Sequence, residues 1–169
     1  MISAIYTRFG SPENISLEDV PLPTPEKDQV LVRVKAASVN SWDWDLLRGK
    51  HFISRMAANK RSGYKLLGSD ISGVVERVGK EVSDFRPGDE VLGDLSQCGF
   101  GAFAEYVAVP DHALVAKPAG ISFEQAAALP QAGVLAWQSL NDHYRLNSGD
   151  RVLIIGAGGG AGSFGIQLA

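Results

Sequence analysis

The stretch Gly156-Ala157-Gly158-Gly159-Gly160-Ala161-Gly162 is where the composition of this chain most directly implies chemistry. Glycines at this density let the backbone turn tightly and approach a ligand closely. A helix that starts among them presents unpaired N–H groups to a phosphate. The flanks fit that use. Val152-Leu153-Ile154-Ile155 is a short all-apolar run of the kind that forms a strand buried on both faces, and Ser163 to Ala169 carries apolar residues at helical spacing. Strand, glycine loop and helix, in that order, make up a dinucleotide-binding turn. The strict G-x-G-x-x-G pattern is absent, because Gly156 and Gly158 place Ala161 last while Gly159 and Gly162 place Ala157 first. The variant A-x-G-x-x-G is read instead, with Ala157, Gly159, Gly160, Ala161 and Gly162 as the cofactor-binding residues. The competing reading is a tight helix–strand packing or a flexible linker with no ligand. An acidic residue that would hold a ribose hydroxyl is expected about 20 residues further on. That position lies beyond Ala169, so the loop alone does not separate NAD from NADP.

Other reactive side chains offer less. Cys98 is the one cysteine, so it forms no internal disulfide and cannot build the multi-cysteine cage of a structural zinc site. No basic neighbour between Leu95 and Phe100 lowers its pKa, so it reads as an inert thiol, and a reducing, cytoplasmic compartment is expected. His51, His112 and His143 are scattered without ligand spacing. Trp42 and Trp44 stand two residues apart in a short helical pattern, where they either serve the core or wall an apolar pocket.

The elements that must hold these residues are mainly strands. Ile2 to Thr7, Ile15 to Val20 and Val30 to Val39 read as extended, the last alternating around Arg33 and Lys35 so that one face meets solvent. Ser41 to Arg48 reads as a helix stopped by Gly49. Further strands are expected at Ile71 to Val78, Glu90 to Leu92, Phe103 to Val109 and Ala113 to Lys117. Ser122-Phe123-Glu124-Gln125 has the form of a capping box opening a helix that stops near Pro130. Gln131 to Leu146 follows as an amphipathic connector, with Leu135, Leu140 and Tyr144 on its apolar side and Gln138, Asp142 and Arg145 opposite.

With 45% hydrophobic and 21% charged residues, the 169-residue chain has the composition of a globular protein with an ordinary core. Its net charge of -3, with both signs mixed, supplies no basic stripe for a phosphate backbone, so nucleic-acid binding is not expected. The N-terminus lacks the run and cleavage pattern of a signal peptide. Val152 to Ala169 is long enough for a membrane span, but it is glycine-rich and carries Gln167, so no membrane partner is expected.

Several motifs resemble the medium-chain dehydrogenase/reductase superfamily, in particular its quinone-reductase-like and zinc-independent alcohol-dehydrogenase-like members. They are Ala36-Ala37-Ser38-Val39-Asn40 with Asp43 and Arg48-Gly49, Leu67-Gly68-Ser69-Asp70-Ile71-Ser72-Gly73, Pro87-Gly88-Asp89-Glu90-Val91, Gly101-Ala102-Phe103-Ala104-Glu105-Tyr106 and Leu129-Pro130-Gln131-Ala132-Gly133. The resemblance implies a mainly β GroES-like substrate domain over residues 1–129 and a connecting helix over 130–148. The start of a Rossmann domain over 149–169 would follow, an α/β unit truncated after its first β-α step.

It also implies how the chemistry is done. In zinc-using relatives a cysteine stands at the position of Asn40 and a histidine at that of Ser69, so both soft ligands are missing and no metal is expected. Asn40 would lie near the nicotinamide ribose and substrate, its amide offering both donor and acceptor, with a turn-closing asparagine as the alternative. Trp42 and Trp44 would wall a quinone or enone pocket, and Asp43 would be structural. A threonine common in the family is replaced by Leu135, removing a hydroxyl near the cofactor. The expected activity is hydride transfer from NADPH or NADH, NADPH being slightly favoured, to a quinone, an α,β-unsaturated carbonyl or a simple carbonyl. The alternative is a noncatalytic module or inactive half-enzyme. A partial Rossmann unit would expose apolar surface and invite self-association or docking of a missing C-terminal half.

Overall fold

The computed structural model describes residues 1–50, 60–61, 64–142 and 145–169. Two antiparallel sheets form the first two-thirds of the chain. The smaller runs in the order β2 (Ile15–Asp19), β1 (Ile2–Tyr6), β5 (Tyr64–Leu66), β4 (Lys60–Arg61). The larger runs β8 (Tyr106–Pro110), β3 (Gln29–Ser38), β6 (Asp70–Val78), β7 (Glu90–Asp94), β9 (Leu114–Ala116). The alternation in β3 sends Val30 and Val32 inward and Arg33 and Lys35 to solvent, where Arg33 pairs with Glu76 of β6 at 3.6 Å. Val30, Val32, Ile71, Val75, Val91 and Leu95 build the main core between these strands.

Helix α1 (Ser41–Arg48) leaves β3 directly and turns Leu46 and Leu47 into a second core with Tyr6, Leu67 and Phe100. Its bounds are those the sequence implies, because Asn40 caps its start and Gly49, at φ 56°, supplies the left-handed residue that ends it. The Ser122/Gln125 capping box also forms: Gln125 N–H donates to Ser122 Oγ at 3.2 Å, and Ser122 N–H donates to Gln125 Oε1 at 2.9 Å. It opens the short helix α2 (Phe123–Ala127), which packs against β3 and β6 and is tied down by Ser72 Oγ donating to the Phe123 carbonyl at 2.5 Å. Helix α3 (Pro130–Asn141) then leads toward α4 (Gly160–Leu168), and these two helices pack together.

Four expectations are corrected. The strand over Phe103 to Val109 begins only at Tyr106, because Phe103 is drawn into a loop where its carbonyl accepts the Ala4 N–H at 2.8 Å. The connector helix ends at Asn141 instead of Leu146. Asn141 Nδ2 bonds back to the Trp137 carbonyl at 2.9 Å, and Asn and Asp are residues whose side chains compete with helix continuation. Its buried face is Pro130, Gln131 and Ala136, while Leu135 is half exposed; Tyr144 and His143, like His51, lie outside the described residues. Finally, Val152–Ile155 forms no strand: Val152 to Ile154 carry no regular structure and Ile155 lies in a turn, and Leu153 and Ile155 are 85% and 90% exposed, not buried on both faces. A parallel strand of this type exists only when neighbours supply its ladder and cover. None does so among the described residues.

Candidate functional site

Where β3 ends and β6 begins, two motifs far apart in sequence meet. Asn40 is half-buried, and its Nδ2 donates to Ser38 Oγ at 3.2 Å and to Ser69 Oγ at 3.1 Å. Ser69 Oγ lies 3.3 Å from Asp70 Oδ1 and Ser38 Oγ 3.2 Å from Asp70 Oδ2. The two positions that would carry soft ligands in zinc-using relatives are thus joined by an amide–hydroxyl hydrogen bond. Neither group is a soft donor. Among the described residues no three His, Cys, Asp or Glu side chains cluster to hold a metal ion.

Two buried carboxylates frame Asn40. Asp43 Oδ2 accepts the Asn40 N–H at 2.8 Å and Asp43 Oδ1 accepts the Gly68 N–H at 2.7 Å, so this side chain staples α1 to the loop before β6. That is the structural role the sequence implies for it. Asp70, 1% exposed, also accepts the backbone N–H of Gln131 in the first turn of α3 at 3.1 Å. Burial pushes both carboxyls above the ordinary aspartate range. Asp43 is pulled back by the Asn40 and Gly68 N–H groups, and Asp70 by Gln131, Asn40 and Ser38, while nearby Asp94 pushes Asp70 further up.

Trp42 and Trp44 lie on the exposed side of α1, 40% and 46% accessible, so neither serves the core. The Arg48 guanidinium sits 5.0 Å from the Trp44 ring centroid, a cation–π contact one turn along the helix. Neither ring reaches the Asn40 network through a described contact.

The glycine loop does form a turn that caps a helix. Gly156 adopts φ 81°, its carbonyl accepts the Gly159 N–H at 3.0 Å, and Gly159 is the N-cap of α4. A Cβ at Gly162 would meet the Gly156 carbonyl oxygen at 2.3 Å and Ala157 Cα at 2.7 Å, so only glycine lets the helix approach the loop this closely. Gly160 lies against Ala132 of α3. Gly156, whose positive φ and carbonyl close the turn, stands outside the residues that the sequence singles out for the cofactor. A cavity of about 800 Å³ opens beside Ala161 and Gly162, walled by Leu135, Ala136 and Ser139 on α3 and by Val152 to Ile155. Leu135 therefore faces the glycine loop.

Ser38, Asp70 and Gln131 were not singled out from sequence, although the A-A-S-V-N, L-G-S-D and L-P-Q-A-G motifs held all three. The fold shows that they belong to one network. Cys98 is half-buried, and burial together with Asp94 raises its thiol pKa, in keeping with an inert thiol. His112 is exposed in a turn between β8 and β9.

An antiparallel β unit with Asn40 and Ser69 side by side, followed by a connecting helix and a glycine turn capping the next helix, defines a GroES-like domain leading into the start of a Rossmann fold. The family model of the alcohol dehydrogenase GroES-like domain matches residues 26–119. The chain belongs to the medium-chain dehydrogenase/reductase superfamily, among its quinone-oxidoreductase-like members. It is 37% identical over 171 residues to 2-methylene-furan-3-one reductase of Solanum lycopersicum, a match covering 97% of this chain and 42% of that protein. It is similar in structure to the quinone oxidoreductase of Coxiella burnetii, with a TM-score of 0.88, 38% identity, and coverage of 99% of this chain and 52% of the other. The Escherichia coli quinone oxidoreductase complexed with NADPH gives a TM-score of 0.87 at 25% identity, covering 99% and 49%. The chain thus spans about half the length of the relatives it matches.

Proposed function

We propose that this chain carries the substrate domain and phosphate-binding turn of an NAD(P)H-dependent oxidoreductase that reduces a quinone, an α,β-unsaturated carbonyl or a simple carbonyl without zinc. Residues 1–129 would be the substrate domain, 130–148 the connector and 149–169 the start of the dinucleotide domain. The observation that carries this reading is the cradle at Gly156 and Gly162, where backbone replaces side chain at the start of a helix. The N–H groups of Gly160, Ala161 and Gly162 in the first turn of α4 would hold the pyrophosphate. When bound, the nicotinamide supplies the hydride. The protein positions the acceptor against it and excludes water. Asn40 and, by resemblance, Trp42 and Trp44 would border the acceptor. The NADPH named in the E. coli structure favours NADP(H) over NAD(H). The thiol of Cys98, half-buried and unpaired with another cysteine, suits a reducing compartment such as the cytoplasm. No described helix is long and apolar enough to cross a membrane.

A second reading has its own support. Leu153, Ile155, Trp137 and Ile166 are half exposed or more around the cavity and α4, so this end of the chain is proposed to be covered by a further segment or a second copy, and to bind no cofactor alone. Titrating the chain, and a longer version containing it, with NADPH and NADH separates the two. Nicotinamide fluorescence that saturates with the 169-residue chain supports the oxidoreductase reading for this piece. Saturation only with the longer version makes the chain an inactive half. No saturation with either overturns the cofactor assignment.

A further inference from the structure

We propose that Asp70 is a positioning residue: acting through Ser38 and Ser69, it fixes the side-chain amide of Asn40 with its NH2 group turned inward and its Oδ1, the amide's one acceptor, turned the other way, toward the Asp43 N–H at the start of α1. The argument follows the protons. A carboxylate can only accept hydrogen bonds. Asp70 Oδ1 takes the Ser69 hydroxyl at 3.3 Å, while Oδ2 takes the Ser38 hydroxyl at 3.2 Å and the Gln131 N–H at 3.1 Å. Each serine has one proton. Once it is given to Asp70, the hydroxyl can only accept from its other neighbour.

That neighbour is in both cases the Asn40 amide, 3.2 Å from Ser38 Oγ and 3.1 Å from Ser69 Oγ. Only the NH2 end has protons for two acceptors. The flipped amide would set Oδ1 against two hydroxyl oxygens with no proton left to share, forfeiting both bonds. The charge on Asp70 therefore sets a direction for the whole network, from Asn40 through two serines to the carboxylate. Three of the four residues are fixed by packing as well: Ser69 and Asp70 are fully buried, and Asn40 is held by its backbone bond to Asp43.

Resting on the function proposed above, this inference states what Asn40 recognises. With both amide protons committed inward, Asn40 meets a ligand hydroxyl or N–H, such as a ribose hydroxyl, only through Oδ1, on the lone pair that the Asp43 N–H of the capping box leaves. It does not polarise the acceptor carbonyl as a donor, and negative charge developing on that oxygen is met by another donor. This differs from the amide that offers donor and acceptor alike.

The test is hydrogen exchange of the Asn40 side-chain NH2, read by NMR on the isotopically labelled 169-residue chain. Both protons should exchange at least about tenfold more slowly than in the unfolded chain. S38A should release one of them and S69A the other, and D70N should release both. Exchange at the unfolded rate in the folded wild type overturns the proposal, as does protection of both protons in the two serine variants. If D70N fails to fold, the serine variants decide. Adding NADPH to a chain that binds it should leave both protons protected, whereas their release would overturn the acceptor assignment. Failure of NADPH to bind would count against the proposed function alone, because the exchange measurement needs no cofactor.

Discussion

The buried carboxylate of Asp70, at the first residue of β6, accepts the backbone N–H of Gln131 in the first turn of α3 at 3.1 Å. One side chain therefore ties the larger sheet to the connecting helix and satisfies a helix-terminal N–H in a place water does not reach. Negative charge at a helix N-terminus also opposes the positive end of the macrodipole. Replacing Asp70 by Ala strands that N–H and the Ser38 and Ser69 hydroxyls. The D70A variant should lose roughly 2–4 kcal/mol, from hydrogen bonds to a buried charge and the unpaired donors left behind. Denaturant unfolding checks this, and a loss below about 1 kcal/mol would show that the network relaxes around the gap.

The glycine turn makes a discriminating pair of substitutions. A Cβ at Gly162 would lie 2.3 Å from the Gly156 carbonyl oxygen, whereas one at Gly158 meets nothing within 4 Å. G162A should therefore push α4 away from the loop, cost on the order of 1–3 kcal/mol as an overpacked contact, and weaken any dinucleotide binding. G158A should leave both unchanged within about 0.5 kcal/mol. Equal behaviour of the two variants in thermal melts and NADPH titrations would show that the close approach at Gly162 is not used.

Much of this was legible in the sequence, for identifiable reasons. Helix α1 carries its stop signal at Gly49, and the alternation of Val30, Val32, Arg33 and Lys35 declares which face of β3 is inside. The lack of soft ligands at Asn40 and Ser69 was equally plain. That Val152–Ile155 would form no strand was not, because apolar composition reports a preference that is realised only when neighbouring strands supply the ladder. The short strands β4 and β5 escaped notice for a related reason, since two or three residues are too few to show periodicity. The Asn40 network stayed hidden because it is assembled by the β3–β6 register, which pairs Ser38 with Asp70 across strands that sequence spacing does not relate.

Tyr6 gives the protein a pH dependence in the alkaline range. It is fully buried, its hydroxyl donates to the Leu46 carbonyl at 3.3 Å, and burial, with Asp43 second, raises its pKa from 10.0 to about 12. Because the folded state holds this proton more tightly than the unfolded one, the associated stability is complete below pH 10 and is lost as pH rises toward about 12. Absorbance titration at 295 nm should show a tyrosinate component near pH 12 that Y6F removes. The variant should also lose less stability than wild type between those pH values. A Tyr6 component near pH 10 would contradict the burial argument.

Cys98 should resist modification. Its pKa is raised first by burial and then by Asp94, so little thiolate is present at neutral pH. Reaction with a disulfide reagent should be slower in the folded chain than in denaturant. D94N should speed it while preserving an acceptor for the Ser96 N–H that Asp94 now receives at 2.8 Å. A folded chain that reacts as fast as the unfolded one would assign Cys98 an accessible, activated environment.

Leu135 tests whether the connector helix shapes the cofactor site. It is 50% exposed on α3 and lines the cavity that also borders Ala161 and Gly162, so an apolar side chain faces the turn proposed to hold a pyrophosphate. The family resemblance implies a threonine at this position, with a hydroxyl that Leu135 lacks. L135T should restore one at little cost, since the side chain is not in the core and the helix-propensity penalty is about 0.5 kcal/mol. One added neutral hydrogen bond to a nicotinamide or phosphate group corresponds to about 1 kcal/mol, or a tightening of NADPH binding by roughly fivefold. L135A separates the hydroxyl from the mere removal of bulk. If L135A and L135T tighten binding equally, Leu135 acts by obstructing the cavity; if neither changes it, α3 does not contribute this face to the cofactor site.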